Sequence, residues 1–186
     1  MSEITFTSKL IPVRSADFSV RTSSFSRDNF VDYPWVISSS RVAKDVFTNN
    51  ICDCTAFLIS DGEKALLKHL NPAIEKNHVF SDIIKFVSNN FDMSSRNLQA
   101  VLIGGSSGKE AKSLFTGFMN FLRNFNIPAT ILYSGKTPTH VAYRTSLDEV
   151  WISNKHIDKA LVAGKSNREA LLSGFEKVEI SHCDEI

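Results

Sequence analysis

The chain has 186 residues, of which 42% are hydrophobic and 22% charged, which is enough for the core of one ordinary domain and excludes wholesale disorder. Its 21 basic and 20 acidic residues leave a formal net charge of +1, so no strong field favours nucleic acid or an anionic membrane as partner. There is no run of about 18 apolar residues, no secretory signal pattern and no disulfide framework, and we therefore expect a cytoplasmic protein without a membrane span.

The first forty residues are rich in serine and have no clear hydrophobic period. We interpret residues 1–40 as an N-terminal extension that packs on the core through aromatic side chains, namely Phe18, Phe25, Phe30 and Trp35. Within and just after it, the pattern predicts a short edge strand over 4–7 and a brief helical turn over 41–47.

From residue 55 onward the pattern predicts defined elements. Two β-prone runs, 55–60 and 65–70, flank Asp61-Gly62 and predict a hairpin. Apolar residues at helical spacing predict helices over 79–91 and 109–125. The remaining predictions are strands over 98–103 and 129–133, a closing hairpin of 141–144 with 150–153, a helix opened by a capping box at Ser166 and ending near 175, and a final strand over 178–181.

Together these elements predict an α/β chain, more closely an α+β layered sandwich in which a mixed, largely antiparallel sheet is packed by helices. We expect a single domain overall, with its core over 41–155 and a C-terminal helix and tail over 156–186.

A cysteine and a histidine flank the first predicted hairpin. Cys54 stands at the entry to the first strand and His69 near the end of the second, at about equal distances from the turn. Cross-strand pairing would bring the two side chains together. A partly open position with backbone N–H groups nearby favours a thiolate, and thiol plus imidazole is the minimal unit of cysteine nucleophilic catalysis.

Other interpretations of these residues stay open. Cys52 and Cys54 could clamp a metal, but four soft ligands are not gathered here, and we expect no metal and no cofactor. A cysteine is also often simply a small core residue. His140 begins a strand after a turn and could face the site, although a surface or capping role is the more common one.

The segment from Thr48 to His69 resembles the chemoreceptor glutamine deamidases of the CheD family and the protein N-terminal asparagine amidohydrolases. Thr48 stands six residues before Cys54, and His69 follows fifteen after it. The similarity continues through the apolar strand ending in Gly104-Gly105 and on to about residue 154. The resemblance implies a CheD-like fold and a Cys-His-Thr triad of Cys54, His69 and Thr48.

The chain departs from the family pattern next to the nucleophile. Cys52-Asp53-Cys54 replaces the usual Gly-Ser-Cys turn, which makes Cys52 a rival nucleophile or a redox partner. We expect the substrate to be contacted around the nucleophile and at the glycine-ended strand, by Asp53, Thr55, Gly104, Gly105 and Ser106.

The function implied is a hydrolase, a cysteine-dependent deamidase that converts an exposed Gln (or Asn) of a partner protein through a thioester. It would act in the cytoplasm, or in another cell as a bacterial effector delivered without a classical signal peptide. The alternatives are an N-terminal Asn/Gln amidohydrolase with Asp53 near the substrate amine, a transglutaminase-like enzyme, and a non-catalytic protein-binding module on the same fold.

Overall fold

The computed structural model describes residues 9–25, 29–31, 41–72, 77–105 and 108–181, and within them it has ten strands and five helices. The strands are β1 (Lys9–Pro12), β2 (Arg41–Ala43), β3 (Asp45–Ile51), β4 (Thr55–Ser60), β5 (Ala65–Leu70), β6 (Gln99–Gly104), β7 (Ala129–Tyr133), β8 (Thr139–Arg144), β9 (Glu149–Ser153) and β10 (Lys177–Ser181). The helices are α1 (Ser15–Thr22), α2 (Asn77–Asn90), α3 (Lys109–Asn124), α4 (Lys155–Val162) and α5 (Asn167–Gly174).

The strands form two sheets. The larger, six-stranded sheet has the order β10-β7-β6-β4-β5-β2, and the smaller, four-stranded sheet has the order β1-β9-β8-β3. One pair in each sheet is parallel, β6 with β7 and β1 with β9, and the other pairs are antiparallel. The predicted fold class is confirmed: the chain is an α+β sandwich with largely antiparallel, mixed sheets packed by helices.

The six-stranded sheet is covered on both faces, which explains why β4, β5 and β6 are buried along their whole length. Alternate residues of β4 divide between two cores. Ala56 and Leu58 face the smaller sheet, whereas Phe57 and Ile59 pack under α2 and α3. The outer face of the smaller sheet is covered by α1 through Phe18, so the order of layers is helices, large sheet, small sheet, helix.

Most predicted elements from residue 55 onward are confirmed, including the capping box at Ser166. The helical turn predicted over 41–47 is wrong, because those residues form β2 and the start of β3. Val46 and Thr48 are buried and alternate with more exposed residues along β3, which is a strand pattern. Pairing of β3 with β8 provides hydrogen-bond partners for its backbone. β1, α1 and α4 were not predicted from the sequence.

The N-terminal aromatic residues behave partly as predicted. Phe18 and Phe25 are buried on the outer face of the smaller sheet, and the ring of Phe30 lies 4.8 Å from that of Phe47. Trp35 and the strand predicted over 4–7 fall outside the described residues. The first described segment also supplies β1, which completes the edge of the smaller sheet.

Across the described ranges, none of the helices has both the length and the apolar character needed to cross a bilayer.

Candidate active site

Thr48 and His69 are in direct contact between the two sheets. Thr48 lies on β3 of the smaller sheet and His69 on β5 of the larger, and both are buried. The distance from Thr48 Oγ1 to His69 Nδ1 is 2.9 Å. The Thr48 hydroxyl also donates a short hydrogen bond to the carbonyl oxygen of Val31.

These two bonds determine the tautomer of the imidazole. A hydroxyl has one proton, and that of Thr48 is used on the carbonyl of Val31. Its oxygen must therefore accept from Nδ1–H of His69. We assign His69 as the Nδ1–H tautomer, which leaves the lone pair on Nε2, the arrangement that a general base requires.

Alternation along β4 and β5 predicts that Cys54 and His69 share a face of the large sheet. His69 continues the row of Ala65 and Leu67, which pack between the sheets. Cys54 lies in the bend just before β4, and alternation from Ala56 would turn its side chain to the same face. The ladder pairs His69 with Ala56, so the position level with Cys54 is two residues beyond His69. The pair is diagonal, with backbones about 7–8 Å apart in a standard ladder, within reach of an aromatic side chain.

The expectation that Cys54 and His69 stand at equal distances from the turn is therefore wrong. His69 lies two residues closer to the turn than the position level with Cys54. The turn comprises residues 61–64, because Ser60 pairs with Ala65. The carboxylate of Asp61 stabilises this turn, because its Oδ1 accepts hydrogen bonds from the backbone N–H groups of Glu63 and Lys64 at 3.0 Å. The methyl side chain of Ala56, directly opposite His69, leaves space for the imidazole ring.

The environment of the thiol differs from the expected one. Only 9% of Cys54 is exposed, and burial, followed by the negative charge of Asp53, raises the pKa of its thiol to about 11. Burial also lowers the pKa of His69 to about 4. The position does not favour a resting thiolate, since at neutral pH both groups are uncharged.

Cys52 lies in a different environment from Cys54. It is partly exposed, and its thiol donates to the backbone carbonyl of Lys136 at 3.2 Å. Both cysteines are free thiols. Cys52 therefore packs against the turn that follows β7, whereas Cys54 directly precedes β4, the strand that pairs with the strand of His69.

The predicted substrate-contacting residues lie at the same end of the large sheet but not on one face. Asp53 is exposed, whereas Thr55 is fully buried on the side of α2 and α3. Gly104 lies against Cys54, since a Cβ there would be 3.0 Å from the Cys54 carbonyl oxygen, and Gly105 packs on the ring of Tyr133. Ser106 lies outside the described residues. Their contacts with substrate stay predictions.

His140 does not face this site. It lies on the outer side of β8, where its ring packs 5.7 Å from that of Phe18 and its Nδ1 lies 3.1 Å from Asn49 Oδ1. Val31 was not found by reading the sequence, although its carbonyl fixes the Thr48 hydroxyl. An apolar residue that acts through its backbone leaves no signal in a sequence pattern.

A scan of protein-family models found no match to the chain, and a search of curated proteins found none either.

Proposed function

We propose that the chain is a cysteine-dependent protein-glutamine deamidase, in which Cys54 is the nucleophile, His69 the general base and Thr48 the group that orients the base. The observation that carries the proposal is the 2.9 Å contact between Thr48 Oγ1 and His69 Nδ1, with the Thr48 proton held by Val31. This contact leaves the basic nitrogen of a buried imidazole on the side of the ring away from the hydroxyl.

The first half of the reaction forms a thioester. Because thiol and imidazole are both neutral at pH 7, proton transfer from Cys54 Sγ to His69 Nε2 accompanies attack on the carboxamide carbon of Gln. The new C–S bond forms as the carbonyl π pair moves to oxygen. When the tetrahedral intermediate collapses, the C–N bond breaks and His69 gives its proton to the departing ammonia.

The second half restores the enzyme. Water attacks the thioester carbon while His69 Nε2 takes one of its protons, and the C–S bond breaks. The proton returns to sulfur and the product is Glu. Overall one water is consumed and one ammonia released, and a neutral side chain of the partner protein becomes a carboxylate.

Cys52 and Cys54, the cysteines among the described residues, are free thiols, which supports a reducing compartment, and we propose that the chain acts in cytoplasm, its own or that of a cell that receives it. The partner is a protein with an exposed glutamine. An amine acceptor in place of water would give transglutamination at the same thioester.

One observation favours a second candidate, an N-terminal Asn or Gln amidohydrolase. Exposed Asp53 is close enough to Cys54 to raise the pKa of its thiol. A carboxylate at that position is suited to bind the α-ammonium group of a substrate N-terminus.

The test is site-resolved mass spectrometry of glutamine-containing peptides and folded proteins after incubation with the chain. We expect replacement of the amide by a carboxylate, with release of ammonia, and loss of both with Cys54→Ser. Cys52→Ser is the matched control, because it removes the neighbouring thiol and should retain turnover. Activity in Cys54→Ser but not in Cys52→Ser would overturn the assignment of the nucleophile.

The same experiment separates the alternatives. Conversion restricted to a free N-terminal Asn or Gln, and lost with Asp53→Asn, would identify the amidohydrolase. A partner protein that binds without any mass change, with the same affinity for Cys54→Ala, would identify a binding module.

A further inference from the structure

Ser134 carries a buried hydroxyl that makes no hydrogen bond within the described part of the chain. It follows β7 directly and is 2% exposed, and its Oγ has no hydrogen-bond partner among the described residues. Buried polar side chains nearly always have a partner, so an exception calls for an explanation. A group held ready for a ligand is one such explanation.

The strand pattern places Ser134 on the same face of the sheet as Cys54. Leu132 packs between the two sheets, and Tyr133 packs on the side of α2 and α3. The backbone N–H of Ser134 continues the ladder by donating to the carbonyl of Gly104 at 3.0 Å. Ser134 is the first residue after β7 and Cys54 the last before β4, and we infer from the alternation of their neighbours that both side chains point towards the smaller sheet.

The glycine end of β6 lies between the two residues. Gly104 bonds to Ser134 on one side, and on the other its Cβ position lies 3.0 Å from the carbonyl oxygen of Cys54. β6 is the strand between β4 and β7, so the two backbones stand two strand spacings apart, roughly 10 Å. The Cβ position of Gly104 also lies 3.0 Å from Thr55 Oγ1, on the side of α2 and α3.

The turn that follows Ser134 also contacts the loop between β3 and β4, which contains Cys52. The N–H of Thr137 donates to the carbonyl of Ser134 at 3.0 Å, which closes the turn. Within that turn, the carbonyl of Lys136 accepts from the thiol of Cys52 at 3.2 Å. Ser134 and Cys54 thus stand at the bases of two loops that contact each other.

We propose that Ser134 is a substrate-positioning residue whose hydroxyl hydrogen bonds the primary carboxamide that is presented to Cys54. A serine hydroxyl both donates and accepts, which matches the carbonyl and NH₂ of a primary amide. The assignment rests on the proposed function for the identity of the reaction at Cys54. It deepens that proposal by naming the group that recognises the amide.

The test uses two thiol reagents in place of the unknown substrate. Iodoacetamide carries a primary carboxamide, and methyl methanethiosulfonate does not. We expect Ser134→Ala to lower the rate of Cys54 alkylation by iodoacetamide about tenfold, the effect of about one lost hydrogen bond, and to leave the methanethiosulfonate rate unchanged. Ser134→Thr, which keeps the hydroxyl, should retain the wild-type ratio of the two rates.

Ser153→Ala is the matched control, because Ser153 is a buried serine on the smaller sheet that bonds to Ser15. It should leave both rates at Cys54 unchanged. In the wild type, the ratio of iodoacetamide to methanethiosulfonate rates should be higher at Cys54 than at Cys52. An equal ratio at the two thiols, or a ratio that Ser134→Ala leaves unchanged, would overturn the assignment.

Alkylation requires no turnover, so the two proposals fail separately. A wild-type chain that releases ammonia from glutamine but shows no effect of Ser134→Ala on alkylation removes the role of Ser134 alone. Because Ser134 Oγ has no bond to lose, the melting temperature of Ser134→Ala should not fall.

Discussion

The reactivity of the buried thiol should depend on pH in a way that a preformed thiolate would not. Burial raises the pKa of Cys54 to about 11 from an ordinary value of 9.0. At pH 7 the thiolate fraction is then about 10⁻⁴, against about 10⁻² for an ordinary thiol, a difference worth roughly 2.7 kcal/mol. Since the thiolate is the reactive form, Cys54 of the chain without substrate should react slowly with thiol reagents.

The assay is site-resolved labelling with methyl methanethiosulfonate between pH 6 and 11, on the folded chain and on the chain unfolded in urea. For folded Cys54 we expect the logarithm of the rate to rise by about one per pH unit up to about pH 10, and to level only near the pKa. In the unfolded chain the curve should level about two pH units earlier. Steric shielding lowers the rate at every pH equally, so the position of the plateau is the decisive quantity.

Asp53→Asn refines the test. The charge of Asp53 is the second cause of the raised pKa, so its removal should move the plateau of Cys54 to lower pH. A plateau below pH 8 in the wild type would refute the reasoning, because it would require a resting thiolate paired with a charged imidazole.

Three further predictions concern the base and the glycine beside the nucleophile. Thr48→Val removes the group that orients His69 and should lower turnover about 10- to 100-fold in the peptide assay, with circular dichroism unchanged; full activity would remove Thr48 from the mechanism. The pKa of His69 is lowered to about 4 from an ordinary 6.5, so the unfolded state binds the proton first and the free energy of unfolding should fall between pH 6.5 and pH 4, by about 3 kcal/mol. Urea titrations of His69→Gln should lack that part of the decline, and an identical decline would contradict the assignment. Gly104→Ala should cost about 1–3 kcal/mol of stability, because φ is +151° and the new Cβ meets the Cys54 carbonyl at 3.0 Å. Gly164→Ala, with φ of +74° and open space around it, should cost less.

The elements after residue 55 could be predicted because their signals are local. The hairpin of β4 and β5 is specified by two β-prone runs around Asp61-Gly62, and α3 by an apolar stripe. The division into two sheets depends instead on contacts between segments far apart in sequence, such as β1 with β9, which no short window contains.

The candidate site also could be predicted only in part from the sequence. The spacing of Thr48, Cys54 and His69 could be read from the sequence, and the structure brings Thr48 and His69 into contact. The carbonyl of Val31 could not be predicted, because any residue offers one. The pKa of Cys54 also could not be predicted, because it depends on how completely the layers around the thiol exclude water.

The hydroxyl–imidazole bond between Thr48 and His69 crosses the interface of two sheets that are each joined internally by backbone hydrogen bonds. In the proposed mechanism the base belongs to the larger sheet, the nucleophile directly precedes a strand of that sheet, and the orienting oxygen belongs to the smaller sheet. A slight slip of one sheet over the other would misalign the imidazole long before either sheet melted. If the proposed reaction is correct, turnover depends on how firmly the two sheets are held together, and a distant substitution that loosens their interface would abolish activity while the circular dichroism spectrum stayed native.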